Sequence, residues 1–228
     1  MPSIQTGHTK GSNASNTTSF SVTQPGTCPN GDLIFCPMTS DLSGQTFTFP
    51  AGFSDLFAAS AYQAVATSII PYKTSGGSES AYTVGVGTTE RQSWICFAVT
   101  SHNGIHGTPP ARNDGSGTTA TCPAITTTVD GCLLIRVVMT DQNATATTPF
   151  GAMAGWTMLD EQYGASAGGI GAFYLLQTTQ GTEAAGTTTL NVSEQWAAFT
   201  FAIAPAAAAG AKAPVVRRKP SGIWTFNR

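Results

Sequence analysis

Charge is what this sequence has least of. Only 10% of its residues are charged, against roughly a quarter in ordinary globular chains, and ten basic and 12 acidic residues leave a net charge of −2. That balance excludes general affinity for nucleic acid, which needs a basic surface. Two explanations fit a surface so poor in Lys, Glu and Arg: a Thr- and Ser-rich β surface, or one covered by neighbouring subunits in an assembly. Nor is there any run of about 20 apolar residues, so no helical membrane span is expected. The opening stretch MPSIQTGHTKGSNASN lacks the apolar segment of a secretory signal, and synthesis without export is the expectation. Five cysteines cannot all pair with one another, and without export free, buried thiols are expected. On the same view the Asn-X-Ser/Thr matches at Asn13, Asn16, Asn143 and Asn191 carry no glycan.

Signatures of catalysis are missing as well. Cys28 and Cys36, or Cys122 and Cys132, match no zinc-ligand spacing. His102 and His106 stand four apart, as two metal ligands on a helix would. Gly104, Gly107, Pro109 and Pro110 forbid that helix, so loop histidines are expected. DGSG at residues 114–117 reads as a turn, not as a nucleophile elbow. GVG at residues 85–87 lies inside a strand pattern and lacks the third glycine and helix of a dinucleotide site. Glycoside hydrolysis would need two carboxyl groups across one cleft. Asp55 and the Asp160-Glu161 pair are available for it, but rim or turn positions suit them better. The expectation is a protein that is not an enzyme, with no catalytic residue, cofactor or metal.

What is present is an internal echo. GDLIFCPMTSD at residues 31–41 returns as GCLLIRVVMTD at residues 131–141, setting Gly31 opposite Gly131 and Asp41 opposite Asp141. PAGFSDL at residues 50–56 is answered by MAGWTML at residues 153–159. SWICFAV at residues 93–99 is answered by QWAAFTF at residues 195–201, with Trp94 opposite Trp196 and Cys96 opposite Ala198. A steady offset near 100 residues predicts two sequence-related halves of one sandwich. The apolar content of 41% is enough for a full core.

The strands follow from period-two patterns and short apolar runs. Phe20 and Val22 alternate, as do Tyr82, Val84 and Val86, and Thr188, Leu190 and Val192. Residues 33–36 form a continuous apolar run suited to a strand covered on both faces. Phe97, Val99, Phe199 and Phe201 are assigned to a shared core. No helical period occurs. Residues 1–18 read as an arm without its own fold, and residues 101–121 as an aperiodic loop, either a crossover between halves or a functional loop.

After Pro205 the composition changes. Residues 206–214 are a small-residue linker, and a basic, aromatic tail follows at 215–228. Lys212, Arg217, Arg218, Lys219 and Arg228 are five of the ten basic residues, which leaves five in the body against all 12 acids. Arg217, Arg218, Lys219, Ile223, Trp224 and Phe226 are therefore the candidate anchor for a neighbouring subunit.

Gly31-Asp32, Pro50-Ala-Gly-Phe53, Tyr82 and Trp94, then Gly131, Ala154-Gly155-Trp156 and Trp196, form a pattern over residues 20–205. It resembles a group of phage virion proteins, and related phage-derived bacterial proteins, built as a duplicated β-sandwich. The second half departs from it, with Cys132 in place of the Asp and Met153-Ala154 before the Gly-aromatic turn. The resemblance implies an all-β, jelly-roll-like domain displayed on a capsid or tail. The expected domains are an N-terminal arm at 1–18, a sandwich at 19–205 with halves at 19–100 and 122–205, and a linker and tail at 206–228. The expected role is a capsid decoration or cement protein of a tailed-phage virion, a homo-oligomer contacting major capsid or tail subunits, with no nucleic acid or membrane partner. The alternative is a receptor- or glycan-binding module of a tail or head fibre.

Overall fold

The computed structural model describes the chain except residues 14, 27, 63–64, 78–79, 142–149, 165–166 and 208–228. Every regular element among the described residues is a strand. The first hundred residues hold β1 (Ser3–Ile4), β2 (Thr9–Ser12), β3 (Thr17–Val22), β4 (Leu33–Phe35), β5 (Met38–Ser40), β6 (Phe47–Thr48), β7 (Ser54–Tyr62), β8 (Ala66–Thr74), β9 (Tyr82–Glu90) and β10 (Gln92–Thr100). The remainder holds β11 (His102–Ile105), β12 (Ala111–Cys122), β13 (Ile125–Thr127), β14 (Cys132–Thr140), β15 (Thr157–Gly164), β16 (Gly168–Gln177), β17 (Gly181–Glu183) and β18 (Gly186–Pro205).

Two large antiparallel sheets form the centre. In one, β1 and β2 flank β10, followed by β4 and β5 together, then β8 and β7. In the other, β11 and β12 flank β18, followed by β14, β16 and β15. Side chains alternate across each strand, so one apolar run feeds two cores. Leu33, Phe35, Ile95, Phe97 and Val99 face Leu133, Ile135, Val137, Met139, Phe199, Phe201 and Ile203 between the sheets. Phe35 stacks on Phe97 at 5.4 Å and reaches Phe201 at 5.2 Å across the gap. All four aromatic and β-branched residues assigned to the shared core are fully buried there. Burying each such side chain contributes roughly 1.5–3 kcal/mol.

The alternate residues make outer cores. Ile34, Cys36, Trp94, Cys96 and Ala98 pack under β3 and β9, through Phe20, Val22, Tyr82, Val84 and Val86. Val138, Trp196 and Ala198 pack with Phe150, Met153 and Leu190. The fold is thus an all-β sandwich with a further layer on each outer face.

Two stretches differ from the sequence expectation. Residues 1–18 are not an arm without a fold, because β1 and β2 pair with β10 and extend the first sheet. Residues 101–121 are largely strand, since β11 and β12 pair with β18, and the DGSG stretch lies inside β12. Their sequences hide this for one reason: the residue turned under the sheet is a glycine. A Cβ on Gly11 would lie 2.8 Å from Trp94 Cε2, and one on Gly115 would lie 2.8 Å from Trp196 Cε2. With glycine beneath the indole and polar residues elsewhere, no apolar alternation marks either strand.

Candidate functional site

The expected anchor, Arg217, Arg218, Lys219, Ile223, Trp224 and Phe226, lies outside the described residues. The described residues do show where the tail begins. Pro205 pairs with His102 at the end of β18. A Cβ on Gly131 would lie 3.5 Å from Met1 Cγ and 3.9 Å from Pro205 Cβ. Both ends of the described chain therefore emerge at one corner of the sandwich.

Near that corner is a surface cavity of about 310 Å³. Ile4, Gln5, Thr6, Gly7 and His8, where the chain passes from β1 to β2, form one wall. Met158, Leu159 and Tyr174 of β15 and β16 form the other. Gly7 turns the chain at φ 85°, a left-handed conformation that favours glycine. An ion-paired rim closes one end. Lys10 Nζ lies 2.7 Å from Asp160 Oδ1, His8 Nε2 lies 2.8 Å from Asp160 Oδ2, and Lys10 also donates to the Glu161 carbonyl at 2.9 Å. The depression has an apolar floor, a phenol and a polar rim, and it lies open to solvent.

The other chemical candidates are occupied locally. His102 Nδ1 accepts from the Gly104 N–H at 3.0 Å, and Nε2 donates to the Gly31 carbonyl at 2.9 Å. His106 Nδ1 likewise accepts from the Thr108 N–H at 3.1 Å, with Nε2 3.2 Å from Thr128 Oγ1. Among the described residues no three His, Cys, Asp or Glu side chains are placed to hold a metal ion. Asp55 lies on β7, the far edge of the first sheet, whereas β15 packs near β2 and β10. About four strand spacings, roughly 19 Å, separate the two edges, so Asp55 and Asp160 do not share a cleft. Glu161 accepts from the Phe150 N–H, and burial still pushes its carboxyl above the usual range. Of the three tryptophans in repeated positions, for which core packing rather than sugar stacking is expected, Trp94 and Trp196 are buried, whereas Trp156 is half-buried against Arg136.

The five cysteines are free, and Cys28 alone among them is partly exposed. Burial pushes the Cys96 thiol well up and Cys122 to about 12, which disfavours the reactive thiolate.

One buried cation had no sequence signal. Arg136 sits in the middle of β14 at 1% exposure, where the run LLIRVVM reads as uniform core. Its guanidinium lies 4.1 Å from the centroid of Trp156 and donates to the Pro123 and Ala184 carbonyls. It ties the β13–β17 layer to the second sheet. His8 and Lys10 were also invisible as a pair with Asp160, 150 residues or more away along the chain.

No protein-family model, curated protein or solved structure matches this chain.

Proposed function

We propose that this protein is a structural subunit of a tailed-phage particle, a jelly-roll-like sandwich of two related halves that decorates or cements a capsid. The observation that carries this reading is the segregation of charge: five basic and 12 acidic residues in the body, five basic and no acidic residues in the linker and tail together. Such a chain has the polarity of a subunit that docks on a copy of itself or on a capsid or tail neighbour. In support, both ends of the described chain emerge at one corner, where they can engage the same neighbour. The particle itself would be where the protein resides. Ile223, Trp224 and Phe226 would supply buried apolar area at ~25 cal/mol per Å², and Arg217, Arg218 and Lys219 would steer the approach in a salt-sensitive way.

Deletion of residues 214–228 tests this. The melting temperature of the isolated protein is expected to stay nearly unchanged while incorporation into particles is lost. Assembly of the truncated protein at full occupancy would remove the tail as the anchor.

The cavity beside Tyr174 favours a second reading, a glycan- or receptor-binding module. A glycan array probed with the intact protein and with Tyr174→Ala separates the two. Binding that disappears in the variant favours the module, and absence of binding by either protein favours decoration.

A further inference from the structure

Asp41 and Asp141 each stand one residue beyond a central strand, β5 and β14. They belong to different sheets, yet the ends of these strands are drawn together through Gly168. A Cβ on Gly168 would lie 2.7 Å from the Thr140 carbonyl oxygen and 2.8 Å from Thr39 Cγ2. Ser93 Oγ closes the same junction by donating to the Gly168 carbonyl at 2.9 Å. The Asp141 N–H donates to the Gln195 carbonyl at 3.0 Å, which fixes its backbone. At this junction the Asp41 and Asp141 carboxyl groups come close enough to interact, and Asp141 Oδ1 is buried with no hydrogen-bond partner. Ionised carboxylates only accept and would repel each other here, whereas an O–H on Asp41 would supply the donor that the buried Asp141 oxygen lacks.

We propose that Asp41 and Asp141 share one proton, and that this shared proton is a clasp between the two large sheets which opens as the pH rises. The charged groups around the pair are Arg91, at the junction of β9 and β10, and Glu194 on β18. One arginine against three carboxyl groups leaves excess negative charge once all are ionised. Burial acts most strongly on Asp41, followed by the hydrogen bond and charge of Asp141. Arg91 opposes them, and the carboxyl is raised to about 7. Burial, and then the charge of Asp41, pushes Glu194 up as well.

The sign follows from proton binding. The unfolded chain releases the Asp41 proton near pH ~4, whereas the folded chain keeps it to about 7. The clasp therefore contributes fully below about pH 4, and its contribution is lost as the pH rises through the folded value. The experiment is thermal unfolding from about pH 4 to about pH 8.5 for the wild type, Asp41→Asn and Asp141→Asn. An Asn side chain keeps an N–H donor and does not titrate. The wild-type melting temperature is expected to fall by several degrees between about pH 4 and about pH 7 and to level off above, and Asp41→Asn is expected to flatten that fall. A variant that keeps the wild-type slope overturns the proposal. Carboxyl ¹³C titration of the unsubstituted protein covers the case in which the variants fail to fold. An aspartate signal moving near neutrality supports the clasp, and aspartates that all titrate below about pH 5 overturn it.

Discussion

The two long edges of the sandwich share a frame and close it with different chemistry. At one, β2 lies near β15; at the other, β12 and β18 lie near β7. Both outer strands carry a bulge at the same register, between Met158 and Asp160 in β15 and between Asp55 and Phe57 in β7. Asp160 pairs opposite Ala172, and Phe57 pairs opposite Ile70. At the first edge Asp160 is held by Lys10 and His8, which leaves a cavity beside Tyr174. At the second, Phe57 meets Phe199 edge-on at 4.7 Å, and Arg112 lies 5.5 Å over the Phe199 ring while donating to the Ala61 carbonyl. One edge is therefore polar and open, and the other aromatic and filled. A shared backbone frame thus carries different side chains at its two edges, an aspartate at one bulge and a phenylalanine at the other.

Phe199→Ala should give the largest effect, since it removes the base of the aromatic edge and part of the shared core. Chemical denaturation is expected to show a loss of ~3–5 kcal/mol, from lost transfer energy and the cavity left behind. A loss within experimental error would mean that this edge is not built on that ring. Gly11→Ala and Gly115→Ala come next. Each sets a methyl group against an indole, at an expected cost of ~1–3 kcal/mol. Similar losses would confirm that the two Trp-led strands are covered in the same way, and one silent substitution would break the likeness between the edges. Lys10→Ala should have the smallest effect. Its side chain is 44% exposed, so the ion pair with Asp160 should contribute about 0.2–1 kcal/mol and fade with added salt. Arg112→Ala should retain most of its effect in salt, because it also uncovers the Phe199 ring.

Much of the frame could be read in advance. The runs LIFC and SWICFAV could satisfy two buried faces only as strands, and they do so with Leu33 and Phe35 inward, Ile34 and Cys36 outward. The aligned turn glycines behave alike, with φ of 94° and 75° at Gly31 and Gly131, and 94° and 78° at Gly52 and Gly155. The cavity was not legible, because its walls come from an N-terminal stretch with one apolar residue and an edge strand with mixed burial. The tail anchor, which was legible as composition, lies outside the described residues.

By itself, then, the sequence determined the strand-only composition, the two-sided burial of the central strands and the turns between them. Those depend on period-two patterning and on glycine's access to left-handed backbone, which neighbouring residues settle locally. Only the tertiary structure decided that β2 and β12 are strands, that Asp160 meets Lys10, and that the ends of β5 and β14 converge beside Asp41 and Asp141. Period two says which residues share a face, but not which face that face will meet. Charge pairs are set by the register between strands far apart in the chain, and that register exists only once both sheets are packed.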